Sequence, residues 1–207
     1  MAKTIAMLGE DTSAPTKPGY LVKVLREFMS ETDILSLDNG VHMMWVTRNF
    51  PALQPNTMLI DHALGSMGIS LPAAIAAKLV HPDRKVVVVT GDGGFMMNSQ
   101  ELETAVRLNL DLIVIISNDS GFGMIRMKQM ADGYGNFGVE FKNPDFVKYA
   151  ESFGAHGHRI TDPSSLRAVL DGAASSGGVH VIDVPIDPRE NGKLMKIMKS
   201  VDCSTLA

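Results

Sequence analysis

Two segments of the chain run apolar without interruption: Val86-Val87-Val88-Val89 within 85–90, and Leu112-Ile113-Val114-Ile115-Ile116 within 112–117. Such runs suit strands covered on both faces of a parallel sheet. Between them, about 98–108 reads as a helix, so 85–117 is a strand–helix–strand unit. Upstream, Leu21, Val24, Leu25 and Phe28 share one face of a helix over 19–30, and Ile34 to Leu37 is a short strand running into Asp38-Asn39-Gly40. An alanine-rich helix is expected over 67–79, with Pro72 in its first turns, where a missing N–H is tolerated. Downstream, Asn143-Pro144 opens a helix with Gly154 just past its end. Thr161-Asp162-Pro163 opens another, ending near Gly172, and Val179 to Val184 is a late strand. Alternation of strands and helices predicts an α/β fold, a doubly wound, mostly parallel sheet with helices on both faces. Residues 1–18, with Pro15 and Pro18 and no period, read as a linker or N-terminal arm, 19–195 as the domain and 196–207 as a C-terminal tail.

Composition narrows the function classes. A chain of 207 residues with 45% hydrophobic and 20% charged residues fits one compact domain. A net charge of −4 gives no basic field, so no nucleic-acid partner is expected. There is no apolar run long enough for a membrane span. The single cysteine, Cys203, cannot pair within the chain, which suits a reducing cytosol and a cytoplasmic location. The 14 methionines are read mostly as core filling.

The loops that follow the two apolar strands carry the chemistry. Gly91-Asp92-Gly93-Gly94 follows the first, and Asn118-Asp119-Ser120-Gly121 follows the second. Parallel strands ending side by side would bring both loops into the crevice where open α/β sheets bind ligands. Asp92 and Asp119, with a main-chain carbonyl at Gly121, supply oxygens of the kind Mg²⁺ takes alongside phosphates and water. Gly91, Gly93 and Gly94 let the backbone turn sharply and approach an anion, and the helix expected from Asn98 points its N-terminus at that anion. A lone Gly-Asp-Gly is usually only a turn; the matching loop after the next strand is what raises it.

The segment from Gly91 to Ile125 resembles the thiamine diphosphate motif, Gly-Asp-Gly followed some 25 to 30 residues later by Asn-Asn or a variant. Within that superfamily the chain is similar to the acetolactate (acetohydroxyacid) synthase family. Asp38 to Trp45, Leu64 to Gly68, Asn143 to Gly154 and Val184 to Asn191 support the likeness, which covers about 20–195. The resemblance implies thiamine diphosphate and Mg²⁺ as cofactors, with Asp92, Asp119 and Gly121 as metal ligands. Asp119 stands where the family more often has asparagine. Asn118 is the weaker candidate, because the family ligand is the second residue of the pair. Ser120 and Phe122 belong to the same cofactor-binding loop. Gly40, Val41 and His42 match a loop reaching the diphosphate; by sequence alone His42 is equally a structural histidine. Met67 matches the bulky residue beneath the cofactor that imposes its V shape, although by sequence alone it is a core residue. Met124 and Ile125 match residues near the reactive centre. Lys128 stands where biosynthetic members often have tryptophan, which leaves the acceptor open.

The implied activity decarboxylates pyruvate and adds the two-carbon unit to a second 2-oxo acid. A 2-oxo acid decarboxylase and a non-catalytic binding module are the alternatives. Members of this family also have a pyrimidine-binding domain, which no segment here can form. The resemblance therefore implies a partner domain or subunit and a homo- or hetero-oligomer. Any FAD would be held by a domain absent from this chain.

Overall fold

The structure, a computed structural model, describes residues 9–194; Cys203, the tail at 196–207 and residues 1–8 of the arm lie outside the described residues. The strands are β1 (Ile34–Leu37), β2 (Met58–Ile60), β3 (Val86–Gly91), β4 (Leu112–Asn118), β5 (His156–Arg159) and β6 (Val179–Pro185). The helices are α1 (Pro18–Phe28), α2 (Val41–Asn49), α3 (Ser70–Val80), α4 (Asp92–Asn98), α5 (Glu101–Arg107), α6 (Gly123–Ala131), α7 (Phe146–Ser152) and α8 (Leu166–Ser176). The strands form one six-stranded sheet in the order β2-β1-β3-β4-β6-β5, and every pairing is parallel.

Alternate strand residues serve two cores. Leu35, Leu37, Val87, Val89, Ile113, Ile115, Ile182 and Val184 pack under α1, α2 and α8. Ile34, Val86, Val88, Leu112, Val114, Ile116 and Val181 pack against α3, α4, α5 and α7. Burial on both faces is the reason the runs in β3 and β4 are uninterrupted.

The sheet also creates the site. Gly91 of β3 pairs with Ser117 of β4, so their outgoing loops leave side by side. On its other edge β3 pairs with β1, Leu37 opposite Val89. The chain leaves β1 towards β2 and leaves β3 towards β4, so strand order reverses here and a crevice opens beyond the carboxyl ends.

Several elements depart from the sequence reading. The helix at the anion end is α4, which begins at Asp92; the expected 98–108 helix is the shorter α5. Gly93 and Gly94 are helical rather than a turn, and they are needed for room: a methyl group on Gly93 would stand 2.7 Å from the Phe122 ring, and one on Gly94 2.8 Å from Asp38 Oδ2. The alanine-rich helix starts at Ser70, because Gly68 has φ +86 and breaks the chain direction after Met67. The helix after Asn143-Pro144 starts at Phe146 and is capped by Asp145, whose side chain accepts from the Val147 N–H. After a short 3₁₀ turn, α8 runs through Gly172 to Ser176 and stops at Gly177, φ 69. Thr16 and Lys17, read as arm, are built into the domain: Thr16 bridges to Ile186, and Lys17 Nζ lies 2.7 Å from Asp187 Oδ2.

Candidate functional site

Three loops meet beyond the ends of β1, β3 and β4, and Asp38 at the end of β1 ties β1 to the end of β3 and to the turn before α3. Its buried carboxylate accepts from the Gly68 N–H at 2.9 and 3.0 Å, the Thr90 hydroxyl at 2.7 Å and the Asn39 N–H at 2.8 Å. The cleft they enclose holds about 700 Å³ of space, part of it open to solvent.

Asp92 begins α4 at the tip of β3 and is 1% exposed. Its Oδ1 accepts from the Gly93 N–H at 3.0 Å, and its Oδ2 from Asn143 Nδ2 at 2.7 Å and the Gly121 N–H at 3.2 Å. Burial raises its pKa, and these hydrogen bonds only partly oppose the shift. Asp119 follows β4. Burial and the charge of Asp92 push it up to about 6, against the pull of the Arg126 guanidinium, whose Nη1 is 3.8 Å away. Two confined carboxylates, with a single loosely paired guanidinium beside one of them, are incompletely neutralised within the chain.

His42 opens the first turn of α2 and points back over the strand ends. Its Nε2 is buried without a partner, and burial lowers its pKa to about 4 against the opposing charge of Asp38. It is therefore neutral at ordinary pH. A methyl group on Gly40 would stand 2.6 Å from its ring and one on Gly91 3.1 Å, so both glycines are where the imidazole needs space.

The other expected residues fall as follows. Gly40, Val41, His42, Met67, Gly91, Asp92, Gly93, Gly94, Asp119, Gly121, Phe122, Met124 and Ile125 all line the cleft. Met67 sits in a turn rather than a helix, half-buried at the wall. Ser120 does not line it: with φ 55 it is turned out to solvent, and its N–H donates to Asn118 Oδ1 at 3.2 Å. Asn118 is engaged elsewhere, donating to Asp183 Oδ1 at 2.8 Å. Lys128 is exposed on α6 and outside the cleft.

Three residues at the site carried no signal in the sequence beyond their local roles. Asn143 bonds Asp92 and Asn118 at once, Arg126 faces Asp119, and Asp38 braces the loops. Asn143 drew attention only through the Asn-Pro helix start and as the first residue of a stretch that supports the family likeness.

The donor set fits a hard cation and an anionic ligand. Among the described residues no three His, Cys, Asp or Glu side chains gather into a self-sufficient metal site. Two carboxylates together with a backbone carbonyl suit Mg²⁺, which binds through one or two carboxylates and takes its remaining oxygens from phosphate and water. The Gly121 carbonyl accepts one bond, from the Gly123 N–H at 3.0 Å, and keeps a lone pair. The start of α4 suits phosphate oxygens, and the unpartnered Nε2 of His42 suits them once the imidazole is protonated.

Comparisons with known proteins agree. Residues 38–184 match the family described as "Thiamine pyrophosphate enzyme, C-terminal TPP binding domain". The chain is 40% identical over 191 residues to an acetolactate synthase of Bacillus subtilis (strain 168), covering 86% of this chain and 34% of that protein. It is 37% identical over 178 residues to a catabolic acetolactate synthase of Raoultella terrigena, covering 86% and 32%. It thus spans about a third of the length of these curated relatives. A thiamine diphosphate-dependent 4-hydroxybenzoylformate decarboxylase of Rhodococcus jostii RHA1 shares the fold at a TM-score of 0.79, with 22% identity over 86% of this chain and 34% of that one. With residues 38–184 matched and the two strand-end loops converging on one cleft, the chain belongs to the thiamine pyrophosphate enzyme family and is its C-terminal TPP-binding domain.

Proposed function

We propose that this chain is the diphosphate- and Mg²⁺-binding part of an acetolactate synthase-like carboligase, which decarboxylates pyruvate and joins the two-carbon unit to a second 2-oxo acid. The observation that carries the reading is the meeting, in one cleft, of Asp92, Asp119 and the buried, unpartnered Nε2 of His42. The similarity to acetolactate synthases supports the choice of reaction.

Asp92, Asp119 and the Gly121 carbonyl would hold the metal ion. His42 Nε2 would face the diphosphate beside the start of α4, and would donate to it once the anion draws a second proton onto the imidazole. Met67, Met124 and Ile125 line the cleft; Met67 would support the bound cofactor, and Met124 and Ile125 would lie near its reactive end. Bound thiamine diphosphate supplies a carbon nucleophile and an electron sink for decarboxylation. The apolar walls of the cleft keep water and stray protons from the reacting carbon. A pyrimidine-binding domain or subunit completes the site, so the working enzyme is an oligomer or a larger chain, with FAD bound, if at all, outside this domain. A cytoplasmic location fits 2-oxo acid chemistry; among the described residues no helix is long and apolar enough to cross a membrane.

The test supplies the chain with pyruvate, thiamine diphosphate and Mg²⁺, with and without a pyrimidine-binding partner. Acetolactate is expected only with the partner present. Acetaldehyde in its place would make the enzyme a decarboxylase. Acetolactate from the chain alone would overturn the shared-site reading.

A further inference from the structure

We propose that Asn143 fixes Asp92 as a one-oxygen metal ligand and thereby tunes the site towards a small octahedral cation, Mg²⁺, over a larger one such as Ca²⁺. The inference rests on the metal site proposed above and adds a positioning residue to it.

Asn143 precedes α7 and lies at the join of two polar groups of residues. Its two amide protons are both spent: Nδ2 donates to Asp92 Oδ2 at 2.7 Å and to Asn118 Oδ1 at 2.9 Å. The orientation of the amide is set by these partners, since both are acceptors. Asn118 cannot offer its own amide nitrogen there, because that group donates to Asp183 Oδ1. Asp183 is buried and accepts from Arg159 Nε through its other oxygen at 2.9 Å. Arg159 Nη2 reaches back to Asp145 at 3.2 Å, two residues beyond Asn143. The path Asn143–Asn118–Asp183–Arg159–Asp145 is therefore a closed ring spanning β4, β6, β5 and the start of α7. Asn143 Oδ1 is buried without a partner, so the side chain keeps its position despite an unsatisfied acceptor.

The consequence falls on Asp92. Its Oδ2 accepts two hydrogen bonds, from Asn143 and from the Gly121 N–H, and its Oδ1 accepts one, from Gly93. A carboxylate oxygen with two donors has little left for a cation, whereas Oδ1 retains a lone pair. Asp92 can then ligate through Oδ1 alone. One-oxygen ligation suits the strict octahedron of Mg²⁺, while Ca²⁺ takes more oxygens and often both of a carboxylate.

The experiment is a calorimetric titration of Mg²⁺ and, separately, Ca²⁺ into the chain with thiamine diphosphate present, for native protein, Asn143→Ala, Asn143→Asp and Arg159→Met, with thermal melting to show that each folds. In Asn143→Ala, Mg²⁺ affinity is expected to fall about 10- to 100-fold, the usual effect of losing a partner of a metal ligand, while Ca²⁺ affinity changes far less. Asn143→Asp, nearly the same size, shifts the Mg²⁺/Ca²⁺ ratio further the same way and serves if the alanine variant does not fold. Arg159→Met shifts it less. An unchanged ratio in the folded variants overturns the proposal, as does an equal loss for both metals, which is what general loosening would give. Where the chain alone binds too weakly the titrations are run with the pyrimidine-binding partner added, and if the native protein then binds the cofactor with neither metal, the site itself is wrong and the proposal falls with it.

Discussion

At the scale of single residues, His42 and Asp119 titrate in opposite senses over the same pH range. The folded pKa of His42 lies near 4, below the ordinary 6.5, so the unfolded chain binds more protons between these values. Its contribution to stability is therefore present above pH 6.5 and is lost as pH falls towards 4. The stability of native protein minus that of His42→Gln is expected to rise across this window by up to about 3 kcal/mol, measured by denaturant unfolding at several pH values. A flat difference would show that the imidazole is not held neutral by burial. Asp119, raised to about 6, acts the other way: it binds a proton more readily when folded, and stability falls as pH rises from 3.8 to 6. Protons also compete with the metal there, so Mg²⁺ affinity is expected to fall about fivefold between pH 6 and pH 5. Asp119→Asn should abolish most of that slope, and calorimetry at the two pH values measures both.

At the scale of elements, the cleft exists because the loops after β1, β3 and β4 and the turn before α3 are held in register. Asp38 joins β1, the end of β3 and the turn before α3. Removing its carboxylate leaves the buried Gly68 N–H unpaired and the Thr90 hydroxyl with only the Gly91 carbonyl, at 3.1 Å. Asp38→Ala is expected to destabilise the protein by about 3 kcal/mol, and to displace Met67, which chemical unfolding and cofactor affinity would report together. The strands flanking the site were legible in the sequence because Val86–Val89 and Leu112–Ile116 have to be apolar on both faces. β5 was not: all four of its residues, His156-Gly157-His158-Arg159, are polar or glycine, and the strand exists by pairing with β6 and packing against α7. α4 was hidden because Gly93-Gly94 reads as a turn, whereas its glycines make room for Phe122 and Asp38 and its Phe95 is anchored against the Phe146 ring at 5.6 Å. Of the site, Asp92 and Asp119 were legible from spacing alone. His42 and Met67 needed the family likeness. Asn143 was invisible in its role because it reaches Asp92 across 51 residues of chain, a contact no local pattern encodes.

At the scale of the whole molecule, Thr16 and Lys17 are locked beside the site. Lys17, 8% exposed, is paired with Asp187, 2% exposed, and Thr16 bonds to the backbone on both sides of Ile186. Asp187→Ala would leave a buried ammonium unpaired, and a loss of about 3 to 5 kcal/mol is expected in unfolding experiments; a loss below 1 kcal/mol would mean that Arg189 and solvent, rather than Lys17, carry the interaction. Around the cleft, Leu64, Met96, Met97 and Ile125 are exposed, an apolar rim of the kind a partner domain covers. The most direct test of the central claim is thiamine diphosphate binding by calorimetry, with and without Mg²⁺, on the native chain and on Asp92→Ala, the pyrimidine-binding partner being added if the chain alone is too weak. Binding that requires Mg²⁺ and is lost in Asp92→Ala is the predicted result. Binding indifferent to both, or none by the native chain even with the partner, would contradict it.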